Sequence, residues 1–381
     1  MTAAAMALAM TAAVLRLLSM ALGLPLFRYV SVILWAVLVY SFVSALWARR
    51  SLRLFLSLSQ TEVQRGQKVT LTVRAEHPFL LPVGGLSLWM ELHGEKKQML
   101  LPLRPVGGTV HEQEENGLHI GVWPIRVTRA EVTDMFGLFR MRPKRPAPVS
   151  LTVLPIPFPI VRPSFAISEE GETALKRANE DLTSPDDTRA YQPGDPMKRI
   201  QWKLYARRHD LLVRRYESPM PRDTLILADC GRIDETAGHI SAESLRDALC
   251  ETAVAIADLQ LRDDCPVRMP LYGENATEFT AEHGHSLLLL QELLAQQSFS
   301  SAESYPRVLQ MELKRVRRSG AVVMISTRLN AAIVDLALSY KQLGPNVRYY
   351  LVTDDPNRQD QLPLVHRLQQ SQVEVCYVTP A

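Results

Sequence analysis

The sequence lacks the residue patterns by which many enzymes and metalloproteins are recognised. It contains no G-x-S-x-G nucleophile motif and no phosphate-binding loop of the Walker type. His283 and His285 stand without the further ligands that a zinc site requires. The cysteines show neither close pairing nor metal-ligand spacing, which is typical of reduced thiols packed as small apolar side chains. They are Cys230, Cys250, Cys265 and Cys376. We therefore predict no cofactor and, as the main hypothesis, no enzymatic activity.

The chain as a whole carries little net positive charge, but one segment is rich in cations. The 381 residues hold 43 lysines and arginines against 40 acidic residues, a net charge of +3. With no recognised nucleic-acid motif, this balance argues against a nucleic-acid partner. Residues 191–217, YQPGDPMKRIQWKLYARRHDLLVRRYE, nevertheless carry seven of the cations against three carboxylates.

Long runs without charge occur only in the first fifty residues. Residues 29–47, YVSVILWAVLVYSFVSALW, contain no charged side chain and have about the length needed to cross a hydrocarbon layer of ~30 Å. Residues 3–24 form a second apolar run that only Arg16 interrupts. No basic segment precedes this run, which argues against a cleaved signal peptide. Residues 1–53 are thus predicted to form a transmembrane helical hairpin, with the lipid bilayer as a partner.

The charges that follow the second run predict the orientation of the hairpin. Arg49, Arg50 and Arg53 lie immediately after Trp47, and positive charge beside a spanning helix favours the cytoplasmic face. Because a tight hairpin returns the chain to its original side, both ends share one compartment. We predict a multi-pass protein of the inner (cytoplasmic) membrane whose soluble domains face the cytoplasm.

The chain after the hairpin begins with a pattern typical of β-strands. Residues 54–155 contain short segments, separated by Gly and Pro residues, in which apolar and polar side chains alternate. In one of them, Val69, Leu71 and Val73 share one face. Several short strands with turn signals predict an antiparallel β-sandwich of immunoglobulin-like size. Proline-rich sequence then opens residues 156–222, which we interpret as a linker and junction.

Residues 223–381 show a different pattern, in which continuous apolar strands alternate with amphipathic helices. Such strands are buried on both faces, which predicts an α/β domain with a mostly parallel sheet. Ligands bind such sheets at the carboxyl ends of the strands, where Asp229, Thr327 and Asp354 are expected to gather. The predicted fold class is therefore multidomain: hairpin, sandwich, junction and α/β domain.

Within residues 156–222, the cationic part is predicted to form a turn, a helix and a strand. Pro193 and Gly194 suit the central positions of a type II turn. Asp195 then serves as N-cap, so a helix is expected to begin at Pro196. The sequence DLLVRRYE follows as a strand that leads towards the α/β domain.

The cations of this junction allow three interpretations. They form a solvated face with ion pairs to the acidic loop that contains Asp181, Asp186 and Asp187, or they bind phosphate or nucleic acid together with the nearby Trp and Tyr side chains. In the third interpretation they contact an acidic protein surface or lipid headgroups.

Several short motifs occur in a fixed order between residues 134 and 217: DMFGLF, RAYQPGD, RIQW, AR and LLVRRYE. In order and spacing they resemble the bacterial family called domain of unknown function 58, whose pattern has proline where Met135 stands and often an acidic residue or histidine at Gln201. The resemblance implies a membrane-anchored protein with a β-sandwich and a von Willebrand factor A-like region. It also implies an assembly or chaperone-like role beside a MoxR-type AAA+ ATPase and, in some cases, a transglutaminase-like membrane protein.

The candidate functional residues of the junction either shape its turn, anchor its helix or present its cations. They are Arg189, Tyr191, Gly194, Asp195, Arg199, Trp202, Arg207 and Arg214. In this hypothesis Gly194 and Asp195 shape the turn and Trp202 anchors the helix. The arginines lock the junction or contact an acidic partner.

The end of the first α/β strand contains an incomplete metal-binding pattern. A von Willebrand A-type site needs D-x-S-x-S, because a hard divalent cation prefers oxygen ligands on one loop. This chain has DCGRI at the same place, so both serines are missing. We interpret Asp229, Gly231 and Thr327 as a degenerate site and predict no metal. The alternative function for this strand end is an uncharacterised hydrolase that uses Asp229 and Cys230.

Overall fold

The computed structural model describes residues 2–76, 83–92, 94–103, 108–160, 185–191, 197, 200–208, 210–216, 223–233, 241–273, 276–301, 303–356 and 358–380. The chain divides into two compact units, an N-terminal unit of Met1–Leu154 and a C-terminal unit of Pro155–Ala381.

The N-terminal unit consists of a helical hairpin followed by β-strands. Its elements are α1 (Ala3–Leu22), α2 (Pro25–Ser51), β1 (Arg53–Leu58), β2 (Glu62–Gln64), β3 (Lys68–Glu76), β4 (Val83–Leu92), β5 (Glu95–Pro102), β6 (Thr109–Asn116), β7 (Gly121–Asp134), β8 (Arg140–Met141) and β9 (Val149–Leu154).

Helices α1 and α2 are long and apolar enough to cross a membrane. Many of their large apolar side chains, among them Met10, Leu17 and Ile33, are exposed, unlike those of a core helix in a soluble protein. Most of the buried residues of the two helices are Ala and Ser, and the Ser31 hydroxyl of α2 donates to the Ala12 carbonyl oxygen of α1 at 2.8 Å. Small residues permit this close approach and are typical of helix pairs in lipid.

The turn of the hairpin is tighter than the sequence predicts. Pro25 belongs to α2 as a residue of its first turn, because a proline at this position loses no helical hydrogen bond. Gly23 ends α1 with a φ of 67°, and its N–H donates to the Ser19 carbonyl oxygen at 3.1 Å. A left-handed residue of this kind is the usual stop of a helix.

The β-strands of the N-terminal unit form two sheets around one hydrophobic core. One sheet has the order β1-β3-β6 and the other β2-β9-β7-β4-β5, with β8 paired to β7. Val69, Leu71 and Val73 of β3 all point into the core that both sheets enclose, so the predicted alternation is confirmed there. The immunoglobulin-like likeness and the predicted domain boundaries stay predictions.

The C-terminal unit combines a small antiparallel pair of strands with an α/β part. Its elements are β10 (Pro185–Ala190), α3 (Trp202–Arg208), β11 (Leu212–Tyr216), β12 (Thr224–Ala228), α4 (Ala242–Arg262), β13 (Val267–Tyr272), β14 (Ala276–Ala281), a 3₁₀ turn (Gly284–Ser286), α5 (Leu287–Gln296), α6 (Tyr305–Val316), β15 (Ala321–Ser326), α7 (Ala331–Gln342), β16 (Asn346–Val352), α8 (Leu362–Gln370) and β17 (Glu374–Val378).

The α/β part has a mixed sheet in the order β14-β13-β12-β15-β16-β17. All neighbouring pairs are parallel except β13 and β14, which are antiparallel. The sequence did not predict β14, because only Phe279 and Ala281 of its residues are buried and the rest look like a polar loop. The order of two apolar helices, a β-rich region and an α/β part is as predicted, and the von Willebrand A-like likeness stays a prediction.

Candidate functional site

The carboxyl end of the central strand β12 carries Asp229. Its backbone N–H donates to the Ile325 carbonyl oxygen of β15 at 2.9 Å, so Asp229 continues the parallel ladder by one residue. The residue is 3% exposed. A carboxylate this deeply buried is stable only when hydrogen bonds or an opposite charge compensate for lost hydration.

Both oxygens of the Asp229 carboxylate have partners within the protein. Oδ1 accepts from the Gly231 N–H at 3.0 Å, and Oδ2 accepts from the Ser326 hydroxyl at 2.7 Å. The Nε atom of Arg328 lies 3.5 Å from Oδ2 and forms an ion pair with it. The negative charge of Asp229 is thus neutralised by a cation of the same chain.

Arg328 is held in place by several further hydrogen bonds. Its Nη2 donates to the Arg232 carbonyl oxygen at 2.9 Å, and its backbone N–H donates to the Ser326 hydroxyl oxygen at 3.1 Å. Its own carbonyl oxygen accepts from the Tyr349 hydroxyl. A Cβ atom on Gly231 would lie 2.8 Å from Arg328 Nη2, so a serine there would displace the guanidinium.

The residues of the predicted degenerate metal site are therefore only partly brought together. Asp229 and Gly231 are in contact, whereas the contact with Asp229 from β15 comes from Ser326 rather than from Thr327. Ser326 and Arg328 were not among the candidate residues predicted from the sequence, although both lie where β15 ends. Within the described ranges, no group of three or more His, Cys, Asp or Glu side chains is arranged to hold a metal ion.

A cleft of about 420 Å³ opens beside Asp229, between the amino ends of α6 and α7. Arg232, Ser301, Glu303, Ser304 and Asn330 are among the residues that line it. Glu303 is engaged by Arg307 at 2.7 Å, and the Asn330 side chain caps α7 by accepting from the Ile333 N–H at 2.9 Å. Thr327 and Asp354 follow the parallel strands β15 and β16 at the same edge of the sheet, as expected, but they do not line this cleft.

Cys230, the proposed nucleophile of the hydrolase alternative, is buried next to Asp229. Its thiol lies 3.8 Å from the Ala228 carbonyl oxygen, to which it donates. Burial, together with the nearby negative charge of Asp229, raises the pKa of Cys230 to about 12. A thiol whose pKa is raised this far stays protonated at pH 8, whereas the thiolate is the reactive form.

Thiol alkylation under native conditions is expected to divide the four cysteines into two pairs. Cys265 and Cys376 are partly exposed and should react with iodoacetamide at pH 8, whereas the buried Cys230 and Cys250 should react only after unfolding in urea. Mass spectrometry of the labelled peptides measures this directly. Rapid native labelling of Cys230 would contradict the buried thiol and revive the hydrolase alternative.

The junction is built on the antiparallel pair β10 and β11. Arg189 pairs with Val213 in the strand register, and the Tyr191 N–H donates to the Leu211 carbonyl oxygen at 2.8 Å. Val213 is buried, as is Ile200, which forms an isolated bridge with it. Part of the sequence predicted as helix thus contributes to a small sheet.

The prediction of a continuous helix from Pro196 is only partly correct: Met197 lies in a 3₁₀ turn, where its carbonyl oxygen accepts from the Ile200 N–H at 3.2 Å, but the chain then leaves the helical conformation. The Gln201 N–H donates to the Leu212 carbonyl oxygen at 2.8 Å, so the chain still pairs with β11 at this point. Helix α3 begins only at Trp202. The bridge of Ile200 with Val213 and the cross-strand hydrogen bond of Gln201 thus interrupt the helix that the local sequence predicts.

Helix α3 presents aromatic and cationic side chains to the surface. Trp202 is 56% exposed and contacts the exposed Tyr205 edge to face, with ring centroids 6.2 Å apart. Lys203 and Arg207 are also exposed, and Arg207 makes no ion pair with any residue that the structure describes. Trp202 therefore does not anchor the helix in a core, contrary to the prediction.

Several of the predicted junction residues cannot be placed in this site. Gly194, Asp195 and Arg199 lie outside the described residues, and the side chains of Arg189 and Arg214 do as well. Of the acidic residues that were expected to pair with the cations, Asp181 lies outside the described residues. Asp186 and Asp187 belong to β10 and not to a loop, and their side chains are not described. Tyr191, Trp202 and Arg207 are the members of the predicted set whose side chains are described.

A second organised turn lies in the N-terminal unit, at residues 134–139, and we name it the Asp134 turn. Asp134 is 1% exposed, and its Oδ2 accepts from the Ser41 hydroxyl of α2 at 2.7 Å. The carboxylate also accepts from the backbone N–H of Phe136 at 3.1 Å and of Phe139 at 2.6 Å. Gly137 supplies the left-handed residue of the turn, with a φ of 68°. Asp134 thus joins this turn to the apolar hairpin.

Comparison with known proteins identifies one family. Residues 187–374 match the family model described as "Protein of unknown function DUF58". The chain has no match among curated protein sequences.

Solved structures show only distant likeness. A cohesin module from a family 33 glycoside hydrolase of Clostridium perfringens is 11% identical, with a TM-score of 0.23 over 27% of this chain and 96% of its own. The CARDB domain of a Pyrococcus furiosus protein is 13% identical, with a TM-score of 0.22 over 27% of this chain and 90% of its own. The sporulation control protein Spo0M of Bacillus subtilis is 9% identical, with a TM-score of 0.17 over 37% of this chain and 60% of its own. Similarity at this level carries no argument about function.

Proposed function

Because this chain belongs to the family of proteins of unknown function DUF58, we propose that it is a membrane-anchored interaction protein without enzymatic activity. The exposed side chains of α3 are the observation that carries the proposal. Trp202, Tyr205 and Arg207 are solvent-exposed on one short helix, and Trp, Tyr and Arg are the residue types that dominate binding energy at protein interfaces. Exposed aromatic side chains add little to the stability of a monomer, so their exposure favours a role in binding a partner.

The geometry around Asp229 supports a binding role over a catalytic one. A general base needs a carboxylate free to accept a proton from substrate, whereas both oxygens of Asp229 are engaged by Gly231, Ser326 and Arg328. The buried Cys230 thiol does not supply a thiolate near neutral pH. The hydrolase alternative therefore has no activated group at the place where it was expected.

The partner that we propose is a MoxR-type AAA+ ATPase, which the family resemblance implies, with a transglutaminase-like membrane protein as a further member of the assembly. Arg207 and Lys203 give α3 a positive surface, which fits an acidic face on the partner. In this proposal the hairpin holds the protein at the inner membrane and the C-terminal unit presents α3 to the cytoplasm.

A binding experiment with the full-length protein in detergent tests the proposal. The MoxR-type ATPase of the same organism is titrated against the wild type and against the double variant Trp202→Ala/Arg207→Glu. We expect the variant to raise the Kd by at least about 100-fold, because one aromatic and one arginine hot-spot residue together contribute about 3 kcal/mol or more.

A matched control separates loss of this surface from a general loss of charge. Arg318 is exposed and lies just before β15, at the amino edge of the mixed sheet, so Arg318→Glu should bind as the wild type does. An unchanged Kd for the double variant would contradict the role of α3. Absence of binding by the wild type would instead show that the partner is a different protein.

A further inference from the structure

The Asp134 turn contacts both helices of the apolar hairpin, and its depth follows from these two independent contacts. At the amino end of α1, the Thr2 backbone N–H and hydroxyl both donate to the Leu138 carbonyl oxygen, at 3.0 and 2.8 Å. On α2, Ser41 donates to Asp134. The turn is therefore fixed to the amino end of α1 and to the middle part of α2, which continues from Ser41 to Ser51.

Helix geometry converts these contacts into a distance from the tip of the hairpin. With 20 residues, α1 is about 30 Å long, so Leu138 lies about 30 Å from the tip. Ser41 lies about 24 Å along α2 from Pro25. Because the hydrocarbon core of a bilayer is about 30 Å thick, a hairpin that spans it from its tip places the Asp134 turn near the boundary between acyl chains and headgroups, with its contact to Ser41 about 6 Å inside the acyl region.

The side chains of the turn match this environment. Leu138 and Phe139 are buried against α1 and α2 in a small core with Ala5, Leu38 and Ala45. Two other side chains of the turn, at positions 135 and 136, do not belong to that core.

These two outward side chains are apolar. Met135 is 59% exposed and Phe136 is 53% exposed. The ring of Phe136 packs edge to face on Tyr40 of α2, with centroids 6.5 Å apart. The hydrogen bonds of the Asp134 turn hold these two apolar side chains outward. Their exposure costs free energy in water, whereas contact with lipid is favourable.

Positive charge follows directly after the turn. Residues 140–145, RMRPKR, carry four exposed cations that we name the basic collar, Arg140, Arg142, Lys144 and Arg145. Strand β8 pairs with β7 next to Asp134, which keeps the first of these beside the turn. Cations at this level attract anionic headgroups, with about 1 kcal/mol for each one near the surface.

We propose that the Asp134 turn is a membrane-inserted wedge, in which Met135 and Phe136 insert where the acyl chains of the leaflet meet the headgroups and the basic collar contacts anionic lipid headgroups. The bilayer is the occupant because the exposed apolar surface of the turn is continuous with that of α2 at Tyr40. This inference rests on the proposed membrane anchor. It adds a third lipid contact, which fixes the N-terminal β-strands against the membrane.

Depth-dependent fluorescence quenching tests the wedge in the full-length protein reconstituted into phosphatidylglycerol-containing vesicles. The partly exposed Cys265 and Cys376 are first replaced by serine, and single cysteines are introduced by Met135→Cys, Ile33→Cys or Leu118→Cys and labelled with the environment-sensitive dye NBD. Ile33 lies on the exposed face of α2, whereas the exposed Leu118 precedes β7 and lies about 40 Å along that strand from Asp134.

The proposal predicts a different quenching pattern at each position. The dye at residue 135 should be quenched by nitroxides near the headgroups, the dye at residue 33 by nitroxides deep in the acyl chains, and the dye at residue 118 by neither. Deep quenching at 33 without quenching at 135 would overturn the wedge and leave the anchor intact. Lack of quenching at 33 would overturn the anchor and the wedge with it.

Discussion

Replacement of Asp134 by alanine is expected to lower the melting temperature of the N-terminal unit by about 10 °C. The carboxylate accepts three hydrogen bonds in a buried position, from Ser41, Phe136 and Phe139. Each buried donor left without an acceptor costs about 1–3 kcal/mol, so the loss amounts to about 4 kcal/mol. A unit of this size loses about 2–4 °C for each kcal/mol. Scanning calorimetry in detergent measures the shift.

Two further variants divide this effect between the turn and the hairpin. Ser41→Ala removes only the hydrogen bond to α2 and should cost about 1 kcal/mol. Asp134→Asn keeps an acceptor but loses the charge, so its stability should lie between those of the wild type and Asp134→Ala. A melting temperature of Asp134→Ala within about 2 °C of the wild type would show that the buried carboxylate does not hold the turn.

Replacement of Arg328 by methionine is expected to be the second largest effect, a loss of about 2 kcal/mol in the C-terminal unit. The change leaves the carboxylate of Asp229 buried without its cation, and an uncompensated buried charge is strongly destabilising. The expected loss is smaller than that of a fully buried ion pair because the Arg328 side chain is 45% exposed and solvent screens part of the interaction. Denaturant unfolding of the C-terminal transition measures the loss.

A double-mutant cycle shows whether the ion pair itself is responsible. In Asp229→Asn/Arg328→Met the charge is removed together with its partner, so most of the lost stability should return. Met keeps a long apolar stem at residue 328, which limits the loss of packing. If the double variant is as unstable as the sum of the two single variants, Arg328 acts through packing and does not neutralise Asp229.

The fold was predictable to the extent that it depends on local periodicity. The alternation at Val69, Leu71 and Val73 and the apolar runs of β12 and β15 identify buried strands without reference to the rest of the chain. Strand β14 was missed because an edge strand buries few side chains and has no such signature. The helix predicted from Pro196 is interrupted before Trp202 because the Gln201 N–H donates to the Leu212 carbonyl oxygen next to β11, a pairing that local sequence signals do not show.

The site was less predictable because its key contacts join distant residues. Asp229 was recognised from its place at a strand end, but its partner Arg328 lies 99 positions later, and spacing alone gives no sign of the pair. The one available signal was that Arg328 directly follows the apolar run of β15, which a parallel sheet brings to the same edge. Likewise, the motif DMFGLF indicated a family resemblance, whereas its hydrogen bond to Ser41 became evident only from the structure.

The proposed membrane anchor and the proposed cytoplasmic location of the C-terminal unit are tested most directly by a cysteine-accessibility experiment in intact cells. A membrane-impermeant maleimide is applied to cells that carry the full-length protein with Leu24→Cys at the exposed tip of the hairpin, while the partly exposed Cys265 and Cys376 serve as native reporters. We predict that the thiol introduced at position 24 reacts in intact cells and that Cys265 and Cys376 react only after permeabilisation. Labelling of the native thiols in intact cells, or protection of the hairpin tip, would contradict a membrane-anchored protein whose body faces the cytoplasm.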